Sequence, residues 1–492
     1  MAAADAATIA SGTPGFTLME RAGRAVARSV ISLAGHRYGL RIAVVCGKGN
    51  NGGDGFVAAR VLHHQGAGVR CLLLADASEY TADAEAHLEI MRRAGVLAEP
   101  FDASRLEGCD VIVDAIFGTG FRGAAEGRQA EAIEAINDAT ASVIAVDVPS
   151  GVAGETGAVE GPAVRADVTV TMAAQKLGTA HSPGSVHAGE VIVADIGIEL
   201  EGATAFVAEP DDIRRVLPVR AQDAHKRSSG SVVVLAGSDG MSGAALLTAR
   251  GASRIGAGYV TLISTSYVDH AKRSVLPETV SRVVVDHPEL GPEVLGEFAA
   301  DFERADAVAI GPGIGRGERQ RALLEAALSE LRIPVVLDAD ALNVLAEDAT
   351  PLVERSANSV ITPHPGEMST LLGLSSTEIQ ADRVGTARRA ADELGCAVVL
   401  KGAGTIVTDR GRPLLVNPTG GPELATAGTG DVLTGVIAAL LAEKLDPADA
   451  ALAGVFVHGL AGTLAGRSAG GRGVVAWDVA EALPGAVAEL FR

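Results

Sequence analysis

The sequence predicts an α/β protein built as two successive halves, each a mostly parallel sheet covered by helices. Three observations carry that expectation. Short apolar runs of strand type alternate with helical patterns along most of the chain, glycine-rich turns end several of those runs, and 492 residues exceed what one hydrophobic core usually gathers.

In order, the first half opens its sheet with a β-type run at 41–46 that leads through a glycine-rich loop at 47–55 into a helical pattern at 56–64. Apolar runs at 69–74, 111–116, 143–148, 168–172 and 191–196 follow, with helical stretches at 84–94 and 128–137 between them. From about 198 to 229 the pattern weakens, and a connection with a short helix fits 209–220. The boundary is expected at 207, giving domains 1–207 and 208–492. A second alternating series then places strands at 231–236, 259–264, 307–310, 334–337, 360–362, 397–400 and 405–408, with an apolar helical run at 432–441. In such sheets ligands gather beyond the carboxyl ends of the strands.

Charge narrows the partners. Lys and Arg total 41 against 61 Asp and Glu, a net charge of −20, which opposes non-specific attraction to nucleic acid or membrane surfaces. Anionic ligands must then be held by local donors. Cys46, Cys71, Cys109 and Cys396 are scattered without metal-ligand spacing and read as reduced core thiols of a cytoplasmic protein. No run approaches membrane-spanning length, and residues 1–15 resemble no export signal.

Three strand ends of the first half carry polar chemistry. In the 47–55 loop, Asn50 and Asn51 offer amides, Gly52 and Gly53 expose backbone N–H groups, and Asp54 adds a carboxylate. A tight turn with Asp54 as helix cap would explain the same residues. The segments 114–120 and 147–151 each end an apolar run with an acid and small residues. Asp147 suits an acid/base role, while Asp114, Ser150 and Asn51 offer hard oxygens for a cation. Helix capping explains one such aspartate better than three together.

This combination resembles the YjeF N-terminal domain, the NAD(P)H-hydrate epimerase family. The resemblance implies a Rossmann-like three-layer domain in which Asn50, Asn51, Gly52, Gly53, Asp54, Gly118, Thr119, Gly120, Phe121, Arg122, Gly123, Ala124 and Asp147 bind or act on hydrated NAD(P)H. It also implies K+ near Asn51, Asp114 and Ser150, and Lys176 facing the same cleft.

In the second half, residues 425–435 put glycines, a hydroxyl and Asp431 at the start of an apolar helix. Unpaired N–H groups there form an anion pocket with a base beside it, although a glycine cap followed by a capping Asp gives the same pattern. The segments 311–315, 362–367 and 401–405 also follow strand-like runs. His364 lies between two prolines in a stiff extended stretch, suited to ligand contact or to satisfying a turn. Lys401 offers a cation to a nucleotide phosphate.

With His225, Lys226 and the segment 237–243, these residues resemble the YjeF C-terminal domain, the NAD(P)H-hydrate dehydratase family of ribokinase-like fold. The family more often has glycine directly after the lysine, where this chain has Arg227. The resemblance implies that Lys401, Gly402, Ala403, Gly404, Thr405 and Gly430 hold the adenine nucleotide. It gives Ala257, Gly315, His364 and Asp431 to the hydrated nicotinamide, with ADP as co-substrate and Mg2+ on the nucleotide.

The expectation is therefore a bifunctional repair enzyme acting on NADHX and NADPHX, with Asp147 and Asp431 as catalytic residues and a homo-oligomer compatible with the sequence. A small-molecule kinase that releases a phosphoester would use the same Gly-Thr-Gly-Asp apparatus. A non-catalytic nucleotide-binding first half is the other reading, because fold alone does not fix function.

Overall fold

The computed structural model describes residues 2–200, 202–220, 222–223 and 225–492. The chain divides into two compact units, Met1–Ala203 and Thr204–Arg492, so the division precedes the expected boundary at 207. The strand Ala205–Val207 explains the shift, since it pairs with Leu414–Asn417 in the second unit's sheet.

The first unit holds seven parallel strands: β1 (Arg41–Cys46), β2 (Gly68–Leu73), β3 (Leu97–Pro100), β4 (Val111–Ala115), β5 (Ser142–Val146), β6 (Val168–Met172) and β7 (Glu190–Ala194). Their order is β3-β2-β1-β4-β5-β6-β7. Strand alternation sends Ile42, Val44 and Cys46 to one core and Ala43 and Val45 to another on the opposite face, which makes three layers. The order reverses between β1 and β4, so their carboxyl ends open a crevice.

In the second unit ten strands form one sheet: β8 (Ala205–Val207), β9 (Ser231–Leu235), β10 (Tyr259–Thr265), β11 (Val280–Val284), β12 (Ala307–Ile310), β13 (Val335–Leu337), β14 (Ser359–Ile361), β15 (Ala397–Leu400), β16 (Thr405–Thr408) and β17 (Leu414–Asn417). The order is β11-β10-β9-β12-β13-β14-β15-β16-β17-β8, parallel from β11 through β15 and then an antiparallel β15-β16-β17 meander. Again the order reverses, here between β9 and β12.

The apolar helix begins at Thr429, earlier than its hydrophobic run, and residues 432–442 are all buried. It packs against the helix Ser242–Ile255, and a Cβ added at Gly435 would come within 1.9 Å of the Thr248 carbonyl oxygen. Glycine there lets two backbones touch. The helix Pro447–Ser468 is long and apolar enough to cross a membrane, contrary to the sequence expectation, but 78% of its apolar window is buried inside the protein. It reads as a core helix.

Candidate active sites

In the first unit the helix after β1 starts at Asn50, with Gly49 as its N-cap. The expected glycine loop is therefore a three-residue turn followed by a helical first turn, and Asp54 is not a cap. Gly52 and Gly53 are buried packing positions: a Cβ on Gly52 would meet the Gly47 carbonyl oxygen at 2.0 Å, and one on Gly53 would meet Met19 Sδ at 2.4 Å. Neither is among the residues that line the cavity over the crevice.

A cavity of about 850 Å³ lies over the crevice, lined among others by Asn50, Asn51, Asp54, residues 118–122, Asp147 and Lys176. Gly123 and Ala124 fall outside that lining. Asn51 Nδ2 donates to the carbonyls of Phe117 (2.7 Å) and Val146 (3.1 Å), tying the helix to the ends of β4 and β5. Gly118 passes between Asn51 and Asp147, its Cβ position 3.2 Å from Asn51 Oδ1 and 3.5 Å from Asp147 Oδ2.

Asp147 adopts φ 69°, a left-handed backbone unusual for a residue with a Cβ. That twist aims its carboxylate into the cavity. Lys176 Nζ reaches Asp147 Oδ1 at 2.6 Å, and the backbone N–H groups of Thr119 and Met172 each donate to the carboxylate at 3.3 Å. The lysine also donates to the Met172 carbonyl at 2.7 Å, so a nearly buried ammonium is aimed at one carboxylate.

Asp114 is fully buried, with no basic partner among the described residues. Ser150 donates to it twice, from Oγ at 2.6 Å and from N at 2.8 Å, and Ser150 Oγ in turn accepts from Phe117 N at 2.9 Å. Burial pushes its pKa up to about 6, against the pull of the Ser150 and Ile116 donors. Asn51, Asp114 and Ser150 thus meet around the 114–118 segment. Their donors are hard oxygens beside an uncompensated carboxylate, a set that fits a monovalent cation.

The second unit gathers its polar groups at the carboxyl ends of β12 to β15. Gly428 (φ 91°) is the N-cap of the helix Thr429–Ala442, which places Gly430 and Asp431 in its first turn and removes the capping explanation for Asp431. Lys401 follows β15. Its Nζ lies 2.8 Å from Asp338 Oδ1 and 3.7 Å from Glu367 Oε2, and a Cβ at Gly430 would be 3.5 Å from it. Asp338 Oδ2 accepts from Thr434 Oγ1 at 2.6 Å.

Electrostatics follow from that crowding. Burial pushes Asp431 up to about 7, the carboxylates of Asp338, Asp340 and Glu367 add to the rise, and Lys401 opposes it. For Lys401 burial favours the neutral form, but Asp338 and Glu367 outweigh it and hold its pKa above the usual value. Burial drops His458 to about 4, and its Nε2 lies 2.9 Å from the Thr429 carbonyl, which it holds as a neutral ring.

Gly315 donates its N–H to Asp340 Oδ2 at 3.1 Å, which ties the loop after β12 to this neighbourhood. His364 resolves toward the turn: Nδ1 accepts from the N–H groups of Gly366 (2.9 Å) and Glu367 (3.2 Å), capping the next helix. Its Nε2 stays 3.4 Å from Glu367 Oε1, beside the cluster. Residues 401–405 turn from β15 into β16, with Gly402 and Gly404 at φ 142° and 65°.

Ala257 stands apart from its expected partners. Its neighbour Gly256 has a Cβ position 3.6 Å from Glu443 Oε1, at the carboxyl end of the helix whose first turn carries Asp431. A 14-residue helix spans about 20 Å, so within one chain Ala257 does not share a site with Gly315, His364 and Asp431. It lines a separate cavity with Arg220, His225 and Lys226.

Sequence reasoning gave no role to Asp338, Asp340, Glu367 or Thr434. The signal for the first two was the Asp-Ala-Asp at the end of β13, where Ala339 takes φ 52° and turns the flanking carboxylates. Glu367 closed a segment already singled out for His364.

A family model described as NAD(P)H-hydrate dehydratase matches residues 232–485, and one described as YjeF-related protein N-terminus matches 15–178. The bifunctional NAD(P)H-hydrate repair enzyme of Moorella thermoacetica is 40% identical over 96% of this chain and 92% of that protein. The Escherichia coli enzyme of the same name is 36% identical over 94% of this chain and 88% of its own. Among solved structures, the ADP/ATP-dependent NAD(P)H-hydrate dehydratase of Bacillus subtilis, co-crystallised with ATP and Mg2+, matches at TM-score 0.51 and 30% identity, covering 59% of this chain and all of that one. The chain belongs to the bifunctional NAD(P)H-hydrate repair enzymes, an epimerase in its first unit joined to a dehydratase in its second.

Proposed function

We propose that the second unit uses ADP to dehydrate the S epimer of NADHX or NADPHX, giving AMP and phosphate, while the first interconverts the R and S epimers through Asp147. What supports the dehydratase half is the position of Asp431, a carboxyl group with a pKa near neutrality beside Lys401 and the glycine-framed start of a helix. A base is most effective when its pKa lies near the working pH.

Asp431 takes the proton of the ring hydroxyl, whose oxygen attacks the terminal phosphorus of ADP, and AMP leaves. The ring nitrogen then expels the phosphorylated oxygen as phosphate, and loss of a proton from the neighbouring ring carbon restores the double bond. Lys401 and the backbone N–H groups at 428–430 neutralise charge on the transferred group. Residues 401–405 and Gly430 hold the nucleotide, with Gly315 and His364 on the nicotinamide side. Mg2+ would neutralise the nucleotide phosphates.

In the epimerase half, Asn50, Asn51 and residues 118–122 bind the hydrated dinucleotide, Asp54 acts on it, and K+ would sit with Asn51, Asp114 and Ser150, fixing the cavity floor. Four unpaired cysteines accord with a reducing compartment, the cytoplasm. The test supplies S-NADHX with ADP or ATP and follows reduced-nicotinamide absorbance together with phosphate release. Recovery with free phosphate and AMP supports the reading. A stable phosphoester, or recovery with ATP alone, refutes it.

A further inference from the structure

The epimerase cavity contains a second aspartate whose environment is the reverse of Asp147's. Asp54 stands on the first helical turns after β1 and lines the same cavity as Asp147 and Lys176. Lys176 and two backbone N–H groups hold Asp147. No hydrogen-bond donor and no basic side chain pairs with the Asp54 carboxyl group among the described residues.

We propose that Asp54 is a second catalytic residue of the epimerase, protonating the departing ring hydroxyl on one face while Asp147 takes a proton from the water that enters on the other. This rests on the epimerase assignment above. A cavity that holds one carboxyl group against an ammonium and a second without a partner among the described residues supplies the two different surroundings on which acid and base work are divided. Burial raises the Asp54 pKa well above the ordinary carboxyl value, Asp147 and Asp5 add to the rise, and Lys176 opposes it.

The chemistry of the substrate requires both roles. Inverting the hydrated carbon means breaking its C–O bond and remaking it on the other face. The Asp54 proton passes to the ring hydroxyl, which leaves as water, and the ring nitrogen's lone pair forms a C=N bond. A second water attacks the opposite face, the C=N pair returns to nitrogen, and the water's proton passes to Asp147. One water leaves, one enters, and one proton moves from Asp54 to Asp147. In the reverse direction the two residues exchange roles.

The test follows inversion of purified R-NADHX in 18O-labelled water with the full-length protein and its Asp54→Asn and Asp54→Glu variants, and measures NADPH binding by each. The expected result is one solvent oxygen in each S molecule formed by the wild type. Asp54→Asn should invert roughly 100- to 10,000-fold more slowly while binding NADPH within a few-fold of wild type. Asp54→Glu should recover a measurable part of the rate. Inversion at the wild-type rate by Asp54→Asn, a rate loss matched by an equal loss of NADPH affinity, or inversion without solvent oxygen overturns the proposal. A wild type that leaves R-NADHX unchanged refutes the epimerase assignment itself.

Discussion

Lys401 Nζ sits 2.8 Å from Asp338 Oδ1, and that pair is the electrostatic centre of the dehydratase site. One ammonium faces Asp338 and Glu367 directly and moderates Asp431 nearby. Lys401→Met would leave these carboxylates facing one another without a counter-charge. The expected outcome is a further rise in the Asp431 pKa, dehydration about 100-fold slower at neutral pH, and a stability loss of about 2 kcal/mol by denaturant unfolding. Unchanged turnover would remove the lysine from the site's function.

Asp431 makes activity and stability depend on pH in opposite senses. As a base it must be ionised, so dehydration should rise with pH through about 7 and then level off. Its folded-state pKa lies above the unfolded value, so the folded protein binds this proton more tightly. The resulting stability is full below the unfolded pKa of about 4 and is lost as pH climbs through about 7. Asp431→Asn should abolish dehydration yet be more stable than wild type at pH 8, by on the order of 1–2 kcal/mol. That difference should vanish near pH 4, as thermal unfolding across pH can show.

The ion pair of Lys176 and Asp147 sets the third expectation. Lys176→Met removes the partner that orients the carboxylate, and R-to-S conversion should fall about 100-fold, read by separating the epimers. Asp147→Asn should eliminate conversion and also cost about 3 kcal/mol, because it leaves a nearly buried ammonium unpaired.

Most of this arrangement was legible in the residues because strand ends in a parallel sheet carry short polar signatures. Asp147, Asp114, Ser150, Lys401 and Asp431 all lie at such ends or at the adjoining helix start, and the structure brings each group together. What local pattern could not show was where helices begin. The glycines at 52–53 read as loop because their sequence is loop-like, whereas close packing against Gly47 and Met19 requires small residues inside the helix's first turns. For His364 the sequence allowed ligand contact or a turn, and Nδ1 takes the turn while Nε2 stays beside Glu367. Ala257 was grouped by family motif, which carries no information on distance.

Close packing yields a stability expectation free of catalysis. Gly435→Ala would drive a methyl group into the Thr248 carbonyl, 1.9 Å from the added atom, and separate two buried helices. A loss of about 1–3 kcal/mol is expected by denaturant unfolding. A variant as stable as wild type would show that these helices have slack.

The most direct measurement gives the intact chain a mixture of R- and S-NADHX with ADP and follows both reduced nicotinamide and phosphate to completion. Wild type should restore all of the cofactor with one phosphate released per molecule, and Asp147→Asn should stop once the S portion is consumed. Complete repair by Asp147→Asn on the same time course, or phosphate transfer without restored nicotinamide, would contradict the account.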